Sequence, residues 1–319
     1  MVRIADVFQS VLTYAIPLMV VALAGMFSER SGVINISLEG TMIMGAFTGI
    51  LFIHTMQRTD LMSGHLLLLT GLLISMVTGI LYSSLHAIAA INMFADQTIS
   101  GTALNIFAPA FAVFVARSII GVQQIPLGNV FRIAKVPVLA EIPILGPLFF
   151  ENAYLTTYIG IAILIISQIV LSKTRFGLRL KSAGEYPQAT DAAGVSVVKM
   201  RYAGVLISGA LAGLGGLIYV VPISTEFSPD VAGYGFLAIA VMIFGQWKPL
   251  YIAAAAFFFG ALKTISFSYS SLPVIKDWNI PGIVYKVLPY VITIIVLFLT
   301  SKKSAAPAAL GEPFDKGKR

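Results

Sequence analysis

Apolar residues run along this chain in blocks of about twenty, the length that spans a bilayer as a helix. The blocks predict spans at roughly 7–27, 38–55, 66–91, 98–119, 153–171, 202–222, 233–247, 249–268 and 283–300. The region 233–268 reads as a tight helical pair broken at Trp247-Lys248-Pro249. Pro17, Pro109 and Pro289 fall inside spans and predict kinks, which packed neighbours make tolerable in a membrane. The expected fold class is all-α: a polytopic helical membrane protein of about nine or ten transmembrane helices, one or two of them broken or re-entrant. Residues 1–300 form one transmembrane domain and 301–319 a tail. Arg3, the apolar run from Val11 and Ala22-Leu23-Ala24 imitate a secretory signal. The run is longer than the usual signal core and more spans follow, so 7–27 is expected to be a retained span.

Two polar interruptions fall where lipid is expected. The first is Ser28-Glu29-Arg30-Ser31-Gly32-Val33-Ile34-Asn35-Ile36-Ser37-Leu38-Glu39-Gly40. Gly32 and Gly40 permit unwinding, and an ionised Glu in the bilayer core costs on the order of 3 kcal/mol unless it faces protein or water. This is either a broken helix lining a solute path or a plain turn with Glu29 and Arg30 as an interfacial pair. The second is Asp96-Gln97 through Asn105, with Gln97, Ser100 or Gly101, and Asn105 along one side at helical spacing. Amides donate and accept together, which suits sugar hydroxyls or a nucleobase edge; the other reading is hydrogen bonding between helices. Asn35, Glu39, Gln97 and Asn105 are the candidate solute-path residues.

A third polar stretch, 173–201, is an island of about thirty residues, whereas two to eight suffice to turn a chain around. It is therefore expected to dock a partner. Pro187 to Ala193 reads as a short helix, with Pro187 in the first turn and Gly194 just past the end. Ala189, Ala192 and Ala193 give it a small-residue surface that fits a narrow groove.

Charge sets the orientation. The island carries Lys173, Arg175, Arg179, Lys181, Lys199 and Arg201, and the tail carries Lys302, Lys303, Lys316, Lys318 and Arg319. Both are expected on the cytoplasmic side. Counting spans then puts 120–152, 223–232 and 269–281 outside, with the proline-rich run 136–147 lying against the outer face as a short surface element. Nine full crossings put the N-terminus outside, and a tenth puts it inside. The net charge of +7 is thus explained by membrane sorting, without nucleic acid. Hydrophobic residues make up 58% of the chain and charged residues 11%, a balance that excludes a soluble domain of this size.

The remaining chemistry is sparse. There is no cysteine, which removes disulfides, thiolate metal sites and Cys nucleophiles. His54, His65 and His86 lack metal-ligand spacing and read as loop or helix-end residues. Gly209-Ala210-Leu211-Ala212-Gly213 with Gly215 and Gly216, and Gly45 with Gly49, predict close helix packing. Lys263 and Lys286, within or near span ends, are expected to snorkel to the interface, with anchoring of solute as the other reading. No phosphate loop, His-Glu-x-x-His or Gly-x-Ser-x-Gly motif occurs, so neither ATP hydrolysis nor another catalysis can be argued for the chain itself.

Over nearly its whole length the chain resembles permease subunits of ATP-binding-cassette importers, in the branched-chain amino acid/ribose permease family. The likeness is strongest to the nucleoside and simple-sugar branch. It is carried by Phe27 to Gly40, Asp96 to Asn105, Gly184-Glu185-Tyr186-Pro187-Gln188-Ala189-Thr190-Asp191-Ala192-Ala193-Gly194, Lys199 to Tyr202, and Ser208 to Gly216. The resemblance implies that Gly184, Glu185, Pro187, Ala189, Asp191, Ala192, Ala193 and Gly194 belong to a coupling helix that seats in an ATPase groove. It also implies a non-enzymatic subunit of a bacterial inner membrane, needing no cofactor of its own. Its partners would be a second permease, cytoplasmic ATPases, an external solute-binding protein or lipoprotein, and membrane lipid. The length matches the shorter permease of a pair and favours a heterodimer over a homodimer. The solute would be a nucleoside, a pentose, a hexose or riboflavin. An ion- or proton-coupled secondary transporter is the alternative; it would need no docking island and should show coupling carboxylates or inverted repeats. A multispanning enzyme comes third, with no paired catalytic groups to support it.

Overall fold

The computed structural model describes residues 4–59, 61–128, 131–137, 139–143, 145–268, 281–300, 306–315 and 317. In chain order the helices are α1 (Ile4–Arg30), α2 (Leu38–Thr59), α3 (Gly64–Ala87, continued by a π-helical turn Ile88–Asn92), α4 (Gln97–Ile120), α5 (Leu155–Lys173), α6 (Arg175–Glu185), α7 (Pro187–Ala192), α8 (Val197–Ile223), α9 (Tyr234–Phe244), α10 (Pro249–Ser268) and α11 (Gly282–Thr300). Each predicted span coincides with one of these helices. Among the described residues, seven are long and apolar enough to cross a membrane, and α9 is a shorter apolar helix. The chain is all-α and polytopic, as expected. The island holds more helix than its sequence suggested: α6 precedes the short helix α7, started by Thr174, whose hydroxyl accepts from Gly177 N at 3.1 Å.

The core is built on α1 and α8. From Val20 to Ala24, α1 is wholly enclosed, and it packs on α8, α9 and α10. On its other sides α8 meets α2 and α3 through glycines. A Cβ on Gly45 would lie 2.3 Å from Gly213 O, and one on Gly79 would lie 2.0 Å from Gly209 O, so only hydrogen fits. Backbones at this distance replace apolar side-chain burial as the source of adhesion in lipid.

The molecule has two ends. The 27 residues of α8 separate its termini by about 40 Å. At the Val197 end lie α6, α7 and residues 306–315, because Ala309 N donates to Gly184 O at 2.9 Å. At the Ile223 end two short antiparallel ladders form, which the sequence reading did not anticipate. β1 (Ile125–Pro126) pairs with β4 (Glu226–Phe227), and β2 (Arg132–Lys135) pairs with β3 (Glu151–Tyr154). The 136–147 run contributes a 3₁₀ turn, Leu139–Glu141, and the start of a π-helical turn, Gly146–Phe150. The start of α1 lies here too: Gln9 Nε2 donates to Pro147 O at 2.9 Å, and Phe8 meets Phe149 edge-on at 5.2 Å. The N-terminal end of α1 is therefore remote from the island, the arrangement that an odd number of crossings gives. Residues 269–280, Lys302, Lys303, Lys316, Lys318, Arg319 and the side chain of Lys286 lie outside the described residues.

Candidate functional site

The first polar interruption is a true break. Helix α1 ends at Arg30, α2 begins at Leu38, and the residues between are non-helical, with Gly32 at φ +94°. Asn35 Nδ2 donates to Ser208 Oγ at 2.9 Å. Ser208 is eleven residues into α8, counting from Val197, so Asn35 sits about 16 Å from that end of the bundle. An extended segment at that depth must have its backbone groups satisfied by protein, since lipid cannot do so.

Side chains do that here. Gln97 Oε1 accepts from Ile34 N at 2.7 Å, and His86 Nε2 meets Ile34 O at 2.8 Å. A carbonyl only accepts, so this contact fixes the imidazole proton on Nε2 and leaves Nδ1 to accept from Ser100 Oγ at 2.7 Å. Asn105 spends both ends of its amide: Nδ2 donates to Ile36 O and Oδ1 accepts from Gly40 N, each at 2.8 Å. Asn35 Oδ1 accepts from Ser37 N at 3.1 Å and from Ser37 Oγ at 2.6 Å. Ser28 Oγ donates to Val33 O at 2.8 Å.

Two carboxylates flank the break, and both hold α9. Glu39 accepts from Gly233 N at 2.9 Å and Gly235 N at 2.6 Å, capping the helix start. A Cβ on Gly235 would meet Glu39 N at 2.4 Å, so this approach needs glycine. Glu29 Oε2 accepts from Trp247 Nε1 at 2.7 Å, just past the other end of α9. Arg30 adds Nη2 to Trp247 O at 3.1 Å and faces Glu185 Oε1 at 3.5 Å.

Thus Asn35, Glu39, Gln97 and Asn105 are gathered around one break, but their hydrogen bonds go to protein atoms. The clefts lie elsewhere: one of about 460 Å³ is bordered by Phe244, Gln246 and Tyr251 and by none of the four residues. Another of about 380 Å³ is bordered by Asp6, Gln9 and Arg132, and one of about 350 Å³ by Arg30, Lys181 and Trp247; none of the four residues borders these either. His86, Ser208 and Trp247 belong to the assembly and were missed from sequence. Being polar or aromatic-polar inside apolar spans was their only signal. Lys263 does not snorkel: it is 6% exposed, its Nζ 5.5 Å from the Tyr234 ring centroid and 6.0 Å from that of Phe267. Neighbouring rings at the mouth of α9 stabilise the ammonium by cation–π attraction.

The island presents the opposite arrangement. In α7, Pro187 and Thr190 face inward, while Gln188, Ala189 and Ala192 are exposed, as are Ala193 and Gly194 beyond its end. Gly194 closes the helix at φ +79°. Gly184 is buried, and Glu185 turns its carboxylate back to Arg30 and to Ala308 N at 3.1 Å. Asp191 is half-buried. The exposed surface at this tip is made of Tyr186, Gln188, alanine methyl groups and backbone.

A bundle of membrane-length helices, a broken segment held at depth and a polar knob at one end define a membrane permease. The family model for the branched-chain amino acid transport system / permease component matches residues 7–297, and the chain belongs to that family. It is 44% identical over 311 residues, 97% of this chain and 96% of the relative, to the guanosine ABC transporter permease protein NupQ of Bacillus subtilis (strain 168). It is 42% identical, with the same coverage, to the nucleoside ABC transporter permease protein NupC of Lactococcus lactis subsp. cremoris (strain MG1363). With the guanosine ABC transporter permease protein NupP of the same Bacillus strain it shares 25% over 302 residues, 89% of this chain and 78% of the relative. No solved structure gives a significant match. The chain is an ABC-type transport permease, multi-pass in the membrane, and not itself an enzyme.

Proposed function

We propose that this chain is the shorter of two unlike permease subunits that together pass a nucleoside across a bacterial inner membrane, driven by ATPases docked on residues 184–194. The exposed alanine tip of α7 is the observation that carries the docking. The tip is a helical turn closed at Gly194, and its small side chains admit close approach to a groove. The solute follows the two relatives named for guanosine and nucleosides, each matched along almost its whole length. The heterodimer follows the Bacillus pair, whose two permeases this chain matches unequally. The island and tail face the cytoplasm, as their Lys and Arg favour, and an external binding protein delivers the solute to the opposite end.

Asn35, Glu39, Gln97 and Asn105 serve the path by fixing the shape of the break. None of the three clefts of about 350 Å³ or more reaches them, which supports a passage completed by the second permease. Substituting Ala192→Arg tests the docking. Co-purification of the ATPase and uptake of labelled guanosine are expected to fall together, with membrane insertion unchanged. Normal values for both would remove the island from the mechanism, and robust uptake of a sugar in place of guanosine would overturn the solute.

A further inference from the structure

The tail segment 306–315 has no role so far, yet it is hydrogen-bonded to both the island and the break, with Pro307, Ala309 and Phe314 buried. Ala308 N donates to Glu185 Oε2 at 3.1 Å and Ala309 N to Gly184 O at 2.9 Å, so these two residues grip the start of the docking turn. Two residues on, Gly311 N donates to Gly32 O at 3.0 Å, and Gly311 O accepts from Gln97 Nε2 at 3.4 Å. Gly311 therefore grips the break and the start of α4. Its φ is +82°, and a Cβ there would lie 2.9 Å from Ile34 Cδ1, so the grip requires glycine. Phe314 closes the segment, buried with Ala183 of α6 and Val197 of α8.

Beneath it lies Arg201, 1% exposed. Its Nη1 donates to Glu312 O at 2.8 Å, while Nε and Nη2 are buried without a hydrogen-bond partner among the described residues. A buried guanidinium with two idle donors is costly and contributes little to a static fold. It suits a joint at which the tail and α8 exchange contacts.

We propose that residues 307–314, seated on Arg201, are a positioning strap: they link the docking turn at Gly184–Glu185 to the break at Gly32–Ile34, so that a movement of one is imposed on the other. This rests on the reading of 184–194 as the ATPase seat. The two elements already touch, Gly184 packing on Arg30 O and Gly32 N, and one short segment bonded to both makes that contact a contiguous element that both sites bias. Without it, the ATPase still binds but its stroke is imperfectly delivered to the break.

The test uses the whole transporter in liposomes, measuring guanosine moved per ATP hydrolysed together with ATPase co-purification and melting temperature. Three variants are compared: a stop codon after Ala306, Phe314→Ala, and Arg201→Met. The expected result is normal co-purification, continued ATP hydrolysis and a fall of about fivefold or more in guanosine per ATP. Arg201→Met keeps the volume and removes the idle charge, so its melting temperature should hold while its coupling ratio drops. That separates positioning from general support of the fold, and it remains readable if the truncated chain does not accumulate. An unchanged ratio in Phe314→Ala and Arg201→Met overturns the strap. So does loss of the ATPase in these variants, which would make the tail part of the seat itself. If Ala192→Arg leaves docking intact, the seat reading fails on its own, whatever the strap variants show.

Discussion

The break at 31–37 and the island at 174–196 look alike in sequence: each is a polar interruption, rich in small residues, between apolar spans. They are opposites in structure. In the break the chain leaves α1 beside the island and runs unwound inward to Asn35, and its backbone groups draw in His86, Gln97 and Asn105. Each of those side chains spends bonds on that backbone. In the island, α6 and α7 make helical bonds of their own, the tail closes Gly184 O, and Gln188, Ala189, Ala192 and Ala193 stay exposed at the tip. Polarity in this apolar chain therefore has two outcomes: side chains spent on backbone groups, and side chains left at a surface. What separates them is where the backbone N–H and C=O groups go.

The largest effect should come from Asn105→Leu in the break. It strands Gly40 N and Ile36 O at once, at about 1–3 kcal/mol for each buried group. Thermal unfolding in detergent should show a strong loss of folded protein. A stable variant with altered uptake would instead make Asn105 a group that meets solute. Glu39→Gln should cost less, because one amide oxygen still caps α9 while the NH₂ faces a backbone donor; about 1–2 kcal/mol is expected. Uptake per folded complex should stay normal, and a selective drop in uptake would contradict the scaffold role. Glu185→Gln should be milder still. Glu185 is half exposed, its pair with Arg30 is long at 3.5 Å, and an amide oxygen can still accept from Ala308 N. Such pairs contribute about 0–1 kcal/mol, so the melting temperature should barely move. At the tip, Gln188→Ala touches an exposed side chain and should leave stability unchanged. A large shift there would show that the island, too, is held from within.

How much of this could be read in advance varied with distance along the chain. The spans were legible because an apolar run of bilayer length has few other uses, and Pro187 with Gly194 marked α7 by local chemistry alone. The break was legible as a place, since Gly32, Asn35 and Glu39 do not belong in lipid. Its partners were not. Asn35 reaches Ser208 and Glu29 reaches Trp247 across 173 and 218 positions, and nothing local to either residue signals the other. The ladders β1–β4 and β2–β3 were missed for the same reason: two- and four-residue strands exist only by pairing. The tail was read as charge alone, although Pro307 to Phe314 carries its own turn and anchor.

Helix α9 is held at its start by Glu39 and just past its end by Glu29, and these residues stand at fixed positions on either side of seven non-helical residues, 31–37. The eleven residues of α9 set a length of about 16 Å that the flanking carboxylates must match. The break thus behaves as a ruler: its side chains can be exchanged for others that bond equally well, but its residue count is locked. One extra glycine after Ile36 should release one end of α9 and lower the melting temperature more than most single exchanges within the segment.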